Sequence, residues 1–315
     1  MAQDETLAAW AAEWMATTVH LKPRTRLSYD TVLRHRLLPA FGEVPVAEIT
    51  QRDVKRFVAA LVEAGDAPGT VHRAYELLRN VLNGAYDAGL IAANPCRRVR
   101  LPRSPHHEMH FLDPPEVLAL SRAIHPRFRL MILFAAYTGA RAGEIGALRV
   151  KRLDLDKRSV DIRESLADVN GHLVFGSTKT HSSRKVGLPS FLVEELTEHI
   201  EGRGLGTDDL VFSSVRRKPI RHNAFLVHYF RPAVTRAGLP AGLRFHDLRH
   251  TCVALLIAQG AHPRAIMERL GHSTIEMTLG RYGHLFPGLD AELVAGLDAM
   301  FRQAGWGRSL HVGYT

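Results

Sequence analysis

Cysteine is nearly missing from this chain: Cys96 and Cys252 are the only two in 315 residues and stand far apart. A disulfide framework and a zinc knuckle are both excluded by that scarcity. No stretch approaches the roughly 18 consecutive apolar residues that cross a bilayer. Asp4 and Glu5 stand where a secretion signal would be basic. These absences predict a soluble protein of the cytoplasm. Neither an internal repeat nor a low-complexity tract is present.

Hydrophobic residues make up 46% and charged residues 23%, the balance of a globular protein. The length exceeds one compact helical core and suits two domains. A formal charge of +9 and a pI near 9.9 favour a polyanionic partner, although a basic enzyme of another kind would share them. The excess is uneven, with 14 Lys and Arg against 12 Asp and Glu up to residue 110 and 27 against 20 beyond it. Arginine dominates, and its planar fork suits phosphate better than an ammonium does. His106, His107 and His110 cluster near a proline-rich break, but without cysteine or a carboxylate pattern beyond Glu108 they read as a solvated linker rather than a metal site.

Apolar spacing predicts a helix over 5–20 through Leu7, Trp10, Ala11, Trp14 and Met15. A second opens at Pro23 or Thr25, and 39–45, bounded by two prolines, reads as a turn. Thr50 and Asp53 form a capping pair for a helix ending near Gly65, and a further helix runs from Pro68 to Ala88, closed by Gly89. Asn94-Pro95 breaks this helical set. Arg97, Arg98, Arg100 and Arg103 follow on a proline-bounded, extended segment where they would track a phosphate backbone or simply solvate a linker.

Asp113-Pro114-Pro115-Glu116 opens the next helix, and Leu130 to Tyr137 forms another. Strands are predicted at Ser159 to Arg163, His172 to Ser177 and Arg184 to Leu188, with turns at Asp156-Lys157-Arg158 and Asn170-Gly171. Helices resume at Ser190, Arg221 and Phe245. The expected fold is mainly α with a small antiparallel β-sheet (α+β).

Four short motifs stand out: Thr138-Gly139-Ala140-Arg141-Ala142-Gly143-Glu144, Phe245-His246-Asp247-Leu248-Arg249-His250-Thr251, Leu270-Gly271-His272 and Arg281-Tyr282-Gly283-His284. His246 and Arg249, three apart at a helix start, share one face at the positive end of the helix dipole. His272 lies just past a helix stop at Gly271 and would be held rigidly there. A phenol with its usual pKa of about 10 is a poor nucleophile and needs adjacent positive charge and a base. The two arginines and two histidines of these motifs would supply both to Tyr282.

This set resembles the tyrosine recombinase, or phage integrase, family over most of residues 111 to 290. The resemblance implies two phosphate-clamping arginines, Arg141 and Arg249, with Glu144 supporting the first. It further implies a proton-transferring His246, a phosphate donor at His272, and Tyr282 as nucleophile. Lys179, between two predicted strands, matches the lysine that protonates the leaving 5′-oxygen, and Lys185 is its competitor. Rival readings of the His246 box are an ordinary helix cap with Asp247 and His250 on solvent, or a zinc pair of His246 and His250.

By the same resemblance, residues 1–100 form a helical, SAM-like core-binding domain, 101–110 a basic linker, 111–290 the catalytic domain, and 291–315 a tail that docks on a neighbouring protomer or on its own domain. The implied protein is a site-specific recombinase whose domains together clamp duplex DNA, working through a 3′-phosphotyrosyl intermediate without metal, ATP or other cofactor. Partners would be double-stranded DNA, three further copies in a tetramer on two sites, and accessory bending or directionality proteins. Only some 20 residues precede Pro23, which weakens an arm-regulated, lambda-like reading. A catalytically silent DNA-binding protein of the same fold and a type IB topoisomerase-like enzyme are the alternatives.

Overall fold

The computed structural model describes residues 4–104, 109–178, 183–285 and 290–303. The chain divides into two compact units, Met1–Glu108 with Ala167–Val174, and Met109–Leu166 with Phe175–Thr315.

The first unit is built on helices α1 (Leu7–Thr17), α2 (Pro23–Val32), α3 (Leu38–Phe41), α4 (Gln51–Glu63) and α5 (Pro68–Asp87). Thr50 and Asp53 make the predicted reciprocal capping box, and Gly65 and Gly89 take the positive φ that ends their helices. Pro39 does not open a turn. A wide π turn over Leu33–Leu37 joins α2 to α3, with the Leu38 N–H reaching back to the Leu33 carbonyl. A proline ring would otherwise strike the carbonyl four residues earlier, and the wide turn relieves that clash, so the helix runs on. The same device recurs at Leu226–Phe230, just before Pro232.

Leu37, Val54, Leu78, Val81 and Leu82 are fully buried at the centre of this unit. Trp10 spans it, its indole N–H donating to the Val81 carbonyl at 2.8 Å. The segment after α5 is fastened to this core: Val99 and Leu101 pack on it, and the His72 ring meets the Pro102 carbonyl at 2.8 Å. Arg97, Arg98, Arg100 and Arg103 on the same segment are exposed.

The second unit holds α6 (Pro114–Ala123), α7 (Arg129–Thr138), α8 (Ala142–Ala147), α9 (Ser190–Gly202), α10 (His222–Phe225), α11 (Arg231–Arg236), α12 (Asp247–Ala258), α13 (Pro263–Leu270), α14 (Ile275–Tyr282) and α15 (Asp290–Gln303). The apolar α7 is buried almost throughout, packing on α6, α9 and α12. No described helix is long and apolar enough to cross a membrane.

Five strands are described: β1 (Leu153–Asp154), β2 (Ser159–Ile162), β3 (Glu164–Val169), β4 (His172–Ser177) and β5 (Arg184–Gly187). They form two sheets rather than one, an antiparallel trio in the order β1-β2-β5 and a separate β3-β4 pair. Asn170 and Gly171, both at positive φ, make the tight turn of that pair. Hence β4 and β5, which flank the expected lysine, belong to different sheets and are not hairpin partners. The sequence missed β3 because Glu164, Ala167 and Asp168 weaken its β signal.

Candidate active site

Two helix ends anchor the second motif arginine. Gly139 and Gly271 adopt left-handed backbone just past α7 and α13, which leaves the last carbonyls of both helices unpaired within their own helices. Arg249, in the first turn of α12 and 3% exposed, donates one nitrogen to the Gly139 carbonyl at 2.6 Å and another to the Leu270 carbonyl at 2.7 Å. A guanidinium suits that position, where two negative helix ends converge. Burial pushes its pKa down to about 9, with the charge of Arg141 adding to the fall. Room for this arrangement depends on Gly139, since a Cβ there would lie 2.6 Å from Leu270 Cδ2.

Arg141 precedes α8 and is half-buried, donating to Glu144 Oε1 at 3.0 Å while its backbone N–H meets Oε2 at 2.8 Å. Glu144 is 4% exposed and has a second cation. Arg184 on β5 grips both its oxygens, at 2.9 and 2.7 Å, and donates its Nε to the Arg269 carbonyl at 2.9 Å. Burial alone would raise the Glu144 carboxyl, but the hydrogen bonds and charge of Arg184, joined by those of Arg141, outweigh it and hold the group below the usual carboxylate range.

His246 is the residue before α12 and is solvent-accessible, although protein crowds its ring. That crowding, with Arg249, Arg244 and Arg141 nearby, pushes its pKa below the ordinary imidazole range. A neutral ring that can donate one hydrogen bond is the result. His272 follows the α13 stop, and its Nδ1 is hydrogen-bonded to the buried Thr278 hydroxyl at 2.9 Å.

Tyr282 ends α14 and is 1% exposed, its ring packed with Val253, Ile257, Ile266 and Leu270. Its phenol oxygen lies 2.6 Å from Nδ1 of His250. It also stands near enough to Arg249 to bear on that group's charge.

The structure thus brings Arg141, His246, Arg249 and Tyr282 into one electrostatic neighbourhood, with His272 just past the carbonyl that holds Arg249. Lys179, His106 and His107 lie outside the described residues. Asp247 and His250 are buried, which rules out the cap reading that put them on solvent. Among the described residues no group of three or more His, Cys, Asp or Glu side chains could hold a metal ion.

Two residues take partners that the sequence did not suggest: Arg184, and His250, which was expected on solvent or in a zinc pair. Arg184 shares a strand face with the buried Val186, a period-two signal, and His250 shares a helix face with the buried Val253 and Ile257. Both patterns were readable, but neither named a partner.

The family model of the phage integrase family matches residues 110–288, and that of the phage integrase central domain matches residues 7–101. A putative prophage phiRv2 integrase of Mycobacterium tuberculosis is 31% identical over 287 residues, 89% of this chain and 75% of that protein. The chain belongs to the phage integrase family of tyrosine recombinases. A XerC-like tyrosine recombinase of Caldanaerobacter subterraneus is 26% identical, over 95% of this chain and 84% of that one. Among solved structures, the Tn1549 transposon integrase in complex with a circular intermediate DNA superposes with a TM-score of 0.80 at 19% identity, covering 93% of this chain and 99% of that chain. The protein is accordingly a tyrosine-type site-specific recombinase, mostly helical with small antiparallel sheets.

Proposed function

We propose that this recombinase binds double-stranded DNA and cuts and rejoins its strands through a 3′-phosphotyrosyl link, with no metal, nucleotide or other cofactor taking part. Phosphodiester exchange gathers negative charge on the non-bridging oxygens, and fixed donors must meet it. Arg249, immobilised by two helix ends, and Arg141, braced by Glu144, are the donors, with His246 and His272 adding hydrogen bonds. Tyr282 attacks, and Lys179 protonates the leaving 5′-oxygen. Because the link conserves the bond energy, a partner strand's 5′-hydroxyl reverses the step.

The observation that carries this reading is the placement of a single buried phenol beside a buried, carbonyl-held arginine. The exposed Arg97, Arg98, Arg100 and Arg103 supply sequence-independent phosphate contacts from the first unit. Residues 1–100 act as the core-binding domain, 101–110 as a basic linker and 111–290 as the catalytic domain. Val294, Leu297 and Met300 leave an apolar, exposed face on α15, suited to docking on a neighbouring copy within a tetramer on two DNA sites. Accessory bending or directionality proteins complete the assembly.

The test is capture. The protein is incubated with fragmented genomic DNA in EDTA, SDS-resistant adducts are sequenced, and the recovered site is rebuilt as a nicked suicide duplex. An adduct at one site with the natural chain and none with Tyr282→Phe supports the reading, and an adduct with Tyr282→Phe overturns it.

A further inference from the structure

The family resemblance gives proton transfer to His246, yet the imidazole that meets the phenol belongs to His250. Nδ1 of His250 lies 2.6 Å from the Tyr282 oxygen, and both residues are almost wholly buried, at 3% and 1% exposure. His246 is open to solvent, and its ring centre stands 5.0 Å from that of His250, edge to face. Behind His250, Asp247 is fully buried and places Oδ1 3.9 Å from Nε2. Asp247 is itself fixed by Arg244, which donates to Oδ1 at 2.7 Å and from its backbone to Oδ2 at 2.7 Å.

A carboxylate on the Nε2 side favours the tautomer that carries its proton there, leaving Nδ1 as acceptor. In that tautomer the phenol O–H donates to Nδ1. The order carboxylate, imidazole, hydroxyl is the arrangement by which an adjacent base activates a weak oxygen nucleophile.

From this geometry we infer that His250 is the general base for Tyr282, with Asp247 its positioning residue. The inference rests on the phosphotyrosyl reading above and assigns a role that reading leaves open. As the phenol oxygen forms its bond to phosphorus, its proton passes to His250 Nδ1. The bond from phosphorus to the 5′-oxygen breaks, and that oxygen takes a proton from the general acid. On resealing, the 5′-hydroxyl attacks phosphorus, the tyrosyl bond breaks, and the His250 imidazolium returns its proton to the phenolate. His246, outward-facing, is left to donate to the phosphate.

The experiment follows single-turnover adduct formation on the rebuilt nicked duplex, comparing the natural chain with His250→Asn and His250→Gln. Both variants keep a polar side chain but cannot take a proton. Each should cleave about 10²–10⁴-fold more slowly while binding the duplex equally well. Each is then paired with 3,5-difluorotyrosine at position 282, whose more acidic phenol has less need of a base and should restore most of the rate. A 5′-bridging phosphorothiolate duplex should not restore it, because it relieves the acid and not the base. Cleavage within a few-fold of the natural rate in either folded variant, or no restoration by the acidic phenol, would overturn the role of His250 alone. An adduct that survives Tyr282→Phe would overturn the phosphotyrosyl reading and the inference with it.

Discussion

Arg184 and Glu144, 40 residues apart, meet in a two-pronged ion pair of 2.9 and 2.7 Å that is almost wholly shielded from water. The pair ties β5 to the start of α8, and through Glu144 it fixes Arg141. It also explains how an arginine outside the expected set governs one inside it. A partly exposed Arg141 without a braced carboxylate would wander among rotamers, and a phosphate clamp depends on fixed donors.

Breaking this pair from one side should be costly. Arg184→Met leaves the buried Glu144 carboxylate with only Arg141, so we expect a loss of about 3–5 kcal/mol in denaturant unfolding. Adding Glu144→Gln should recover part of that loss, because the two residues act as a unit. Simple additivity of the two single losses would contradict the coupling.

Acid should expose the same carboxylate. Its folded pKa lies below the ordinary 4.5, so the stability it confers is complete above about pH 4.5 and fades as pH falls through the lower folded value. Measured unfolding free energy should thus fall less steeply between pH 4.5 and 3 in Glu144→Gln than in the natural chain. Parallel curves would show that Glu144 is not the group titrating.

Replacing Arg141 by Ala should slow adduct formation about 10²–10³-fold, the loss typical of one oxyanion donor. Affinity should fall far less, since many other cations share the electrostatic load. Arg249→Ala should add a stability defect that Arg141→Ala lacks, because it strands two buried carbonyls. Equal falls in affinity and cleavage for Arg141→Ala would indicate a plain DNA clamp.

A 5′-bridging phosphorothiolate, whose sulfur leaves without a proton, separates the two candidate lysines. Rescue of Lys179→Ala is the expected outcome. Lys185 is exposed within β5 and paired opposite Asp161 on β2, so its backbone is held by the sheet. Rescue of Lys185→Ala alone would move the role there.

Gly139→Ala should destabilise the chain by at least about 1–2 kcal/mol for the left-handed backbone alone, and more through the Leu270 contact. Thermal melting with and without the duplex would register it.

What the sequence disclosed follows a physical divide. Asp113 with Glu116, Thr50 with Asp53, and the stops at Gly89 and Gly271 involve groups within a turn of one another, so their spacing is itself the signal. Contacts across 40 residues, as for Arg184, or 32, as for His250 and Tyr282, leave no such trace. Periodicity could at most have placed both on inward faces, and could not have said toward what. Strand pairing failed for the same reason: β4 and β5 were both legible, whereas β3, which takes β4 away from β5, was too polar to see.

The end of α13 works as a ruler. Its last two carbonyls, Arg269 and Leu270, each receive a different arginine, Arg184 from a strand and Arg249 from another helix. Successive residues of a helix are rotated by about 100° and raised 1.5 Å. Inserting or deleting one residue within α13 would therefore swing both acceptors away together, while most changes to its outward side chains would leave them in place. Over evolutionary time the length of this eight-residue helix should be far less free to vary than its composition.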